Sequence, residues 1–240
     1  MTAARALSIS SRSSIHGFRL WWMALSLLAG SAAAQGLPGV VVWDFENLSP
    51  PSAAGTNPVQ LDYLQRSLSE NLTVALLGSP GLQVVERQRL KQVLAEQKLS
   101  AADLTDQDTR LRLGRIIGAG RMVFGSFFAL GDQVQVNLWV VETATSRVVF
   151  SDELAANADN VMQRVEEVNR RLVRKLGDGA VALRSYPAAV WQTYDQALAL
   201  SDSGRDEQAI ESLQRLLAQH KDFVPAERQL VALLEKLNRR

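Results

Sequence analysis

The chain has 240 residues, with 26 Lys and Arg against 25 Asp and Glu and a formal net charge of +1. Residues 1–34 contain three of the arginines and no acid, so the rest of the chain carries a net charge of −2. Nucleic-acid backbones and anionic membrane surfaces are bound by clustered positive charge, and we therefore expect neither as a partner. The sequence contains no cysteine, which excludes disulfides and cysteine-ligated zinc.

The first 34 residues have the pattern of an export signal. Three arginines and an apolar run at 20–28 precede the small residues 32–34, after which comes Gln35. A membrane-spanning helix needs about 20 apolar residues, and small residues interrupt this run earlier. The pattern therefore predicts a signal peptide at 1–34, cleaved after Ala34, rather than an uncleaved membrane anchor.

Strand and helix patterns alternate in the next segment. Residues 40–45 form an apolar run typical of a strand that is buried on both faces. Leucines at positions 61, 64, 68 and 72 recur every three or four residues and predict a helix, and residues 82–85 predict a second strand. A strand–helix–strand unit of this length predicts a parallel pair.

Two more helices are predicted before the pattern changes to a period of two. The second of these is expected to direct Leu113, Ile116 and Ile117 toward the core. From residue 121 onwards, alternating apolar residues and a Gly131–Asp132 turn predict a three-stranded antiparallel meander. A further helix at 161–176 has acids near its start and basic residues near its end, which complements the helix dipole.

These elements predict the α/β (α+β) class for residues 37–183. We expect a mixed sheet that begins as a parallel βαβ unit, continues as the antiparallel meander and is packed by helices. Residues 187–238 predict a separate all-helical tail, with a break at 201–204.

The tail is similar to a tetratricopeptide helix pair. Small and large apolar residues occupy the packing positions of such a pair. These positions are Ala197, Leu200, Ala209, Leu213 and Leu216. A single repeat is too short for an independent solenoid, so we expect the tail to pack on the first domain, on itself or on a second copy.

Polar residues follow the two predicted parallel strands. Asp44 and Glu46 end the first strand, and Glu86 and Arg87 end the second. The carboxyl ends of neighbouring parallel strands converge, and loops there bind ligands in open α/β sheets. These four residues are therefore a candidate partner-binding site, while the alternative makes Glu86 and Arg87 a local ion pair at a helix start.

The sequence offers no recognisable catalytic or metal-binding motif. HExxH, P-loop and GxGxxG patterns are absent, and Gly118–Gly120 precedes a strand instead of following one. His220, the one histidine after the predicted signal, stands at a predicted helix end, where a cation is favourable. We expect no catalytic residues, no metal and no cofactor.

Three segments together resemble a known family. They are the apolar run 40–47, the strand and basic helix at 84–100, and the run 118–126. Their order resembles the curli assembly/transport (CsgG) family, the flagellar FlgO-like proteins and the amino-terminal domain of TolB. The resemblance implies an envelope protein on a small α/β domain, in a set not known chiefly for enzymes. Lipidated members have a lipobox cysteine, which is missing here, so we expect no direct lipid anchor.

The resemblance implies a non-enzymatic periplasmic accessory or scaffolding protein for envelope assembly or transport, associated with the outer membrane. Its expected partners are envelope proteins or a second copy of the chain. One alternative is an outer-membrane secretion channel subunit, but the strands at 121–154 are already used to complete the sheet. Another is an envelope hydrolase that uses Asp44 and Glu86 as paired acids.

Overall fold

One mixed sheet lies at the centre of the structure. The computed structural model describes residues 39–50, 61–85, 87–98, 106–177 and 184–239, so the predicted signal peptide and Glu86 lie outside the described residues. The strands are β1 (Gly39–Val42), β2 (Glu46–Asn47), β3 (Gln83–Val84), β4 (Ala119–Leu130), β5 (Gln133–Glu142) and β6 (Arg147–Asn157). Their order is β3-β1-β4-β5-β6, and β2 pairs with β4 beyond the end of β1.

The pairing within the sheet confirms the predicted fold class. β1 is parallel to β3 and to β4, while β4, β5 and β6 form an antiparallel meander. Leu130 pairs with Gln133, so the first hairpin has the two-residue loop that the sequence predicts. Gly131 has a φ of 60°, a left-handed conformation that glycine adopts without a steric penalty.

Helices precede, interrupt and follow the strands. Those in the described residues are α1 (Tyr63–Leu77), α2 (Arg87–Glu96), α3 (Gln107–Ile116), α4 (Val161–Leu176), α5 (Ala188–Asp202), α6 (Asp206–Gln219) and α7 (Val224–Asn238). The Asp106 carboxylate accepts a 2.7 Å hydrogen bond from the backbone N–H of Thr109 and caps α3. This bond lowers the pKa of Asp106, because it stabilises the charged form.

One face of the sheet, here called the covered face, is packed by α1 and α4, and the tail helices α5 and α7 pack on α1. Val134 and Val140 of β5 are fully buried in this packing. α1 buries Leu64, Leu68 and Leu72 in the same cluster, as their spacing predicts. Because burial of apolar area is the main favourable term in folding, this face contains most of the core.

Helices cover only one end of the opposite face. There Phe124 stacks between Trp43 and Trp139, with centroid distances of 6.4 and 6.1 Å, next to the apolar residues of α2 and α3. The same side of β4 continues to Phe128 and Leu130, which are 38% and 61% exposed. Among the described residues, no helix packs on this second half of the face.

The tail shares its core with the α/β part. Trp191 and Tyr194 of α5 are 1% exposed and belong to the same apolar cluster as α1 and β5. Arg66 of α1 also forms ion pairs with Asp195 at 2.6 Å and Asp202 at 3.0 Å. The tail therefore packs on the first part of the chain, and the division at 183–187 stays a prediction.

Candidate functional site

Asp44 lies in the bend between β1 and β2. It is exposed, and its Oδ1 accepts a 3.0 Å hydrogen bond from the hydroxyl of Ser69 on α1. The backbone N–H of the next residue, Phe45, donates to the carbonyl of Gln65 at 2.9 Å. These contacts attach the end of the first strand to α1.

Glu46 is held by a different helix. Its Oε1 accepts a 2.6 Å ion-pair hydrogen bond from Arg110 of α3. The Arg110 side chain is only 11% exposed, and its guanidinium lies 4.7 Å from the ring centroid of Phe124. A guanidinium over an aromatic face is electrostatically favourable, so Arg110 joins Glu46 to the aromatic row.

Of the four predicted site residues, the structure describes the side chains of Asp44 and Glu46. Asp44 contacts α1 and Glu46 contacts α3, so their carboxylates are held by different elements. Arg87 begins α2, and Glu86 lies outside the described residues. The partner-binding role of these residues therefore stays a prediction, and Arg110 joins the set as a residue that no sequence motif indicated.

Next to the Glu46–Arg110 pair, the uncovered half of this opposite face presents a surface that we call the open face. Its strand residues are Phe128, Leu130, Gln133, Gln135, Asn137, Ser151 and Glu153, which lie on one side of β4, β5 and β6. Leu48 directly follows β2 and borders β4, because its backbone N–H donates to the carbonyl of Phe127 at 2.8 Å. The apolar members Leu48, Phe128 and Leu130 are 57%, 38% and 61% exposed. Exposed apolar groups with a polar rim are typical of protein-binding surfaces.

The outer edge of the sheet is less suited to strand addition. At this edge, β6 pairs with β5 on one side. The backbone N–H of Glu153 donates to the Asp152 carboxylate at 2.9 Å, and that of Asn157 donates to the Asn160 side chain at 3.0 Å. Arg171 holds the Asp152 carboxylate at 2.6 Å. Because these N–H groups already have acceptors, the open face is the better candidate surface than the edge.

The tetratricopeptide-like positions are mostly interior. Ala197, Ala209, Leu213 and Leu216 are at most 5% exposed, and Leu200 is partly buried against the same cluster. They pack α5 against α6, and the buried Asp206 at the start of α6 pairs with Lys236 of α7 at 2.8 Å. The assignment to a tetratricopeptide repeat stays a prediction.

The described residues contain neither a metal-binding cluster nor a membrane-spanning helix. No group of three or more His, Cys, Asp or Glu side chains is arranged there to bind a metal. No helix in those ranges has the length and apolar character needed to cross a membrane.

A protein-family profile matches part of the chain. The profile of the family described as "Curli production assembly/transport component CsgG" matches residues 24–134. This match confirms the resemblance to the CsgG family over that range, and it suggests an accessory or assembly role in the envelope. Comparison with curated proteins gave no match.

Solved structures with a related fold were also found. The LpoB C-terminal domain from Salmonella enterica is 17% identical, with a TM-score of 0.42 over 50% of this chain and 83% of that chain. Lipoprotein GNA1162 from Neisseria meningitidis is 16% identical, with a TM-score of 0.40 over 57% of this chain and 98% of that chain. TolB from Acinetobacter baumannii is 11% identical, with a TM-score of 0.38 over 58% of this chain and 28% of that chain. All three TM-scores are below 0.5, so none of these structures assigns a role to the chain.

Proposed function

We propose that the chain is a non-enzymatic periplasmic accessory or scaffolding protein for envelope assembly or transport, and that it acts by binding an envelope protein. The family match supports the envelope role. The open face is the main support for the binding role, because it leaves apolar side chains in solvent on a sheet whose other face is buried.

The open face is built on a rigid platform. β4 and β5 pair over ten residue pairs, and β5 and β6 pair over the same length. A surface that is ordered before binding loses little conformational entropy when a partner docks. The half-buried aromatic Phe128, beside the exposed Leu48 and Leu130, supplies the apolar centre that protein interfaces favour.

Glu46 has a structural place at the rim of this face. It pairs with Ser126 in the β2–β4 register, one residue before Asn47, and its carboxylate is already bound by Arg110. Asp44 is likewise engaged as an acceptor from Ser69. Glu46 therefore supports the rim of the open face, whereas Asp44 attaches the end of β1 to α1. Both carboxylates have structural partners, and this supports binding in preference to acid–base chemistry at either residue.

The experiment is site-specific photocrosslinking in the native envelope. A photoreactive side chain at Gln135, on the open face, is compared with the same group at Gln214, an exposed glutamine on α6. We expect a discrete adduct with an envelope protein from position 135 and not from position 214. The change Leu48→Glu in the same chain should reduce that adduct about tenfold, because it places a charge in the apolar centre.

Two results would contradict the proposal. Identical adducts from both positions would show that crosslinking is non-specific. Adducts from position 135 that contain only a second copy of the chain would assign the open face to self-association.

A further inference from the structure

A separate cavity lies on the tail, between α5 and α6. It has a volume of about 320 Å³, and none of the residues that line it belongs to the sheet. Its apolar lining includes Val190 and Leu216, each 5% exposed. This volume is at the lower end of the range for ligand sites, roughly 300–1,000 Å³, so it suits a group the size of one or two amino-acid residues.

The positive charge in the lining of this cavity comes from Arg215. Arg215 and His220 line it, together with Ser212 and Thr193, and no acidic side chain does. Arg215 forms an ion pair on the surface of α6 with Glu211, whose Oε1 lies 3.7 Å from the guanidinium. Both side chains of this pair are mostly exposed, and such pairs contribute little, so a ligand carboxylate can compete for the guanidinium.

The polar and apolar parts of the cavity complement one another. The hydroxyl of Thr193 donates to the carbonyl of Ala189 at 2.9 Å, which leaves its oxygen as an acceptor for an N–H group. Arg215 offers a planar set of donors that matches a carboxylate. Val190 and Leu216 offer an apolar floor. The last residue of a peptide chain has an amide N–H, a carboxylate and a side chain. These three groups match the acceptor oxygen, the guanidinium and the apolar floor of the cavity.

We propose that this cavity binds the free carboxyl terminus of a peptide that ends in an apolar residue. Arg215 binds the carboxylate, Thr193 accepts the last amide N–H, and the terminal side chain contacts Val190 and Leu216. The proposal goes beyond the open face and does not depend on it. It gives the tail a recognition role of its own.

Calorimetric titration of the full chain tests the proposal with three acetylated tetrapeptides. One ends in leucine with a free carboxylate, the second is its carboxy-terminal amide, and the third is an amide with glutamate at the last position. We expect saturable binding of the free acid and binding at least about tenfold weaker for the amide, since a hydrogen bond to a charged group is lost. The glutamate amide should bind as weakly as the leucine amide.

Variants identify the residue responsible. Arg215→Gln should weaken the free-acid peptide about tenfold or more, whereas Arg174→Gln, which changes an exposed arginine of α4 outside the cavity, should leave binding unchanged. Because Arg215 is 72% exposed, the variant should fold normally, which circular dichroism will check. Lack of saturable binding, equal binding of acid and amide, or unchanged binding by Arg215→Gln would each overturn the proposal. If the glutamate amide bound as tightly as the free-acid peptide, the assignment to a chain terminus would be overturned.

Discussion

The two faces of the sheet differ in how they bury apolar residues. On the covered face, apolar residues of β5 contact helices along the whole strand, and both Val134 and Val140 are fully buried. On the opposite face of β4, Phe124 is 1% exposed whereas Phe128 is 38% exposed. The covered face therefore supplies most of the stability, whereas half of the other face has no helix over it among the described residues.

The largest expected effect comes from removing a tryptophan from the core that the tail shares with the covered face. Trp191→Ala should lower the free energy of unfolding by about 3–5 kcal/mol, because it removes a fully packed ring and leaves a cavity. Trp139→Ala, on the opposite face, should cost less, since that side chain is only partly buried. Urea unfolding followed by circular dichroism measures both, and an equal or larger cost for Trp139 would break the comparison.

The same measurement also tests whether the tail unfolds with the rest of the chain. Because α1, β5 and α5 share one apolar cluster, we expect a single cooperative transition. A separate early transition of the tail in Trp191→Ala would show that the tail is an independent unit.

A polar pair within the covered face gives the next effect. Asn169 of α4 donates a hydrogen bond to Asn71 of α1, and these residues are 2% and 7% exposed. Asn71→Ala leaves the Asn169 donor buried without this acceptor and should cost about 1–3 kcal/mol. Asn137→Ala on the open face is the control and should change stability by about 0.5 kcal/mol or less.

A double-mutant cycle measures whether the two asparagines are energetically coupled. The double variant, with both Asn71 and Asn169 changed to alanine, should lose less stability than the sum of the two single losses, because neither partner is left behind. Strict additivity of the two losses would show that the hydrogen bond does not couple the helices.

Local sequence patterns predicted the positions of the helices and strands more accurately than they predicted which side of each helix is buried. The period of two in β5 predicted its faces correctly, because side chains of a strand must alternate. In α3 the predicted core residue Ile116 is wrong, since it is 51% exposed, whereas Leu111 is 3% exposed. A ten-residue helix presents few apolar positions, so its rotation depends on the sheet it packs against.

The candidate surfaces were less predictable than the fold. The strand-end rule drew attention to Asp44 and Glu46, but the bend between β1 and β2 directs them to different helices. Arg110 is 64 residues away from Glu46 in sequence, and no motif links the two. Whether Phe128 is exposed depends on which helices cover the sheet. The alternation of apolar residues along β4 carries no information about those helices.

Changing Arg110 tests the covered end of the opposite face. Arg110→Met should cost about 1–2 kcal/mol, because the ion pair to Glu46 and the contact with the Phe124 ring are both lost. Arg112→Met, an exposed neighbour on α3, is the matched control and should have little effect. Thermal unfolding ranks the two variants by stability. Equal losses of stability would show that Arg110 contributes no more than an exposed arginine.

A smaller effect with the opposite sign is expected at Glu166 of α4. Burial raises the pKa of this carboxyl group from its ordinary 4.5, although a hydrogen bond from Ser185 and the charge of Arg170 oppose the shift. The raised pKa makes the folded state retain the proton, so this contribution to stability is complete below pH 4.5 and is lost as pH rises through the folded-state pKa. Glu166→Gln should therefore match the wild type in acid and be more stable at pH 7.

Unfolding measured across pH provides the check on Glu166. Glu167→Gln is the control, because that side chain is 45% exposed and pairs with Arg164 on the helix surface. The raised pKa would not be due to burial if Glu167→Gln gained as much stability at neutral pH as Glu166→Gln, or if Glu166→Gln lost stability there.

The smallest effect on stability is expected on the open face. Leu48→Glu should change the free energy of unfolding by about 0.5 kcal/mol or less, because Leu48 is 57% exposed and substitutions at exposed sites are usually near neutral. Leu64→Ala on the covered face, where the side chain is fully buried, should cost about 2–5 kcal/mol.

This pair of leucines separates stability from recognition. If the open face binds a partner, Leu48→Glu loses the crosslinked adduct while its unfolding curve stays close to that of the wild type. A cost above about 2 kcal/mol would require the Leu48 side chain to be buried in the isolated folded chain, since costs of that size come from core positions. The sheet would then have two covered faces, and the surface proposed to bind a partner would be part of the core.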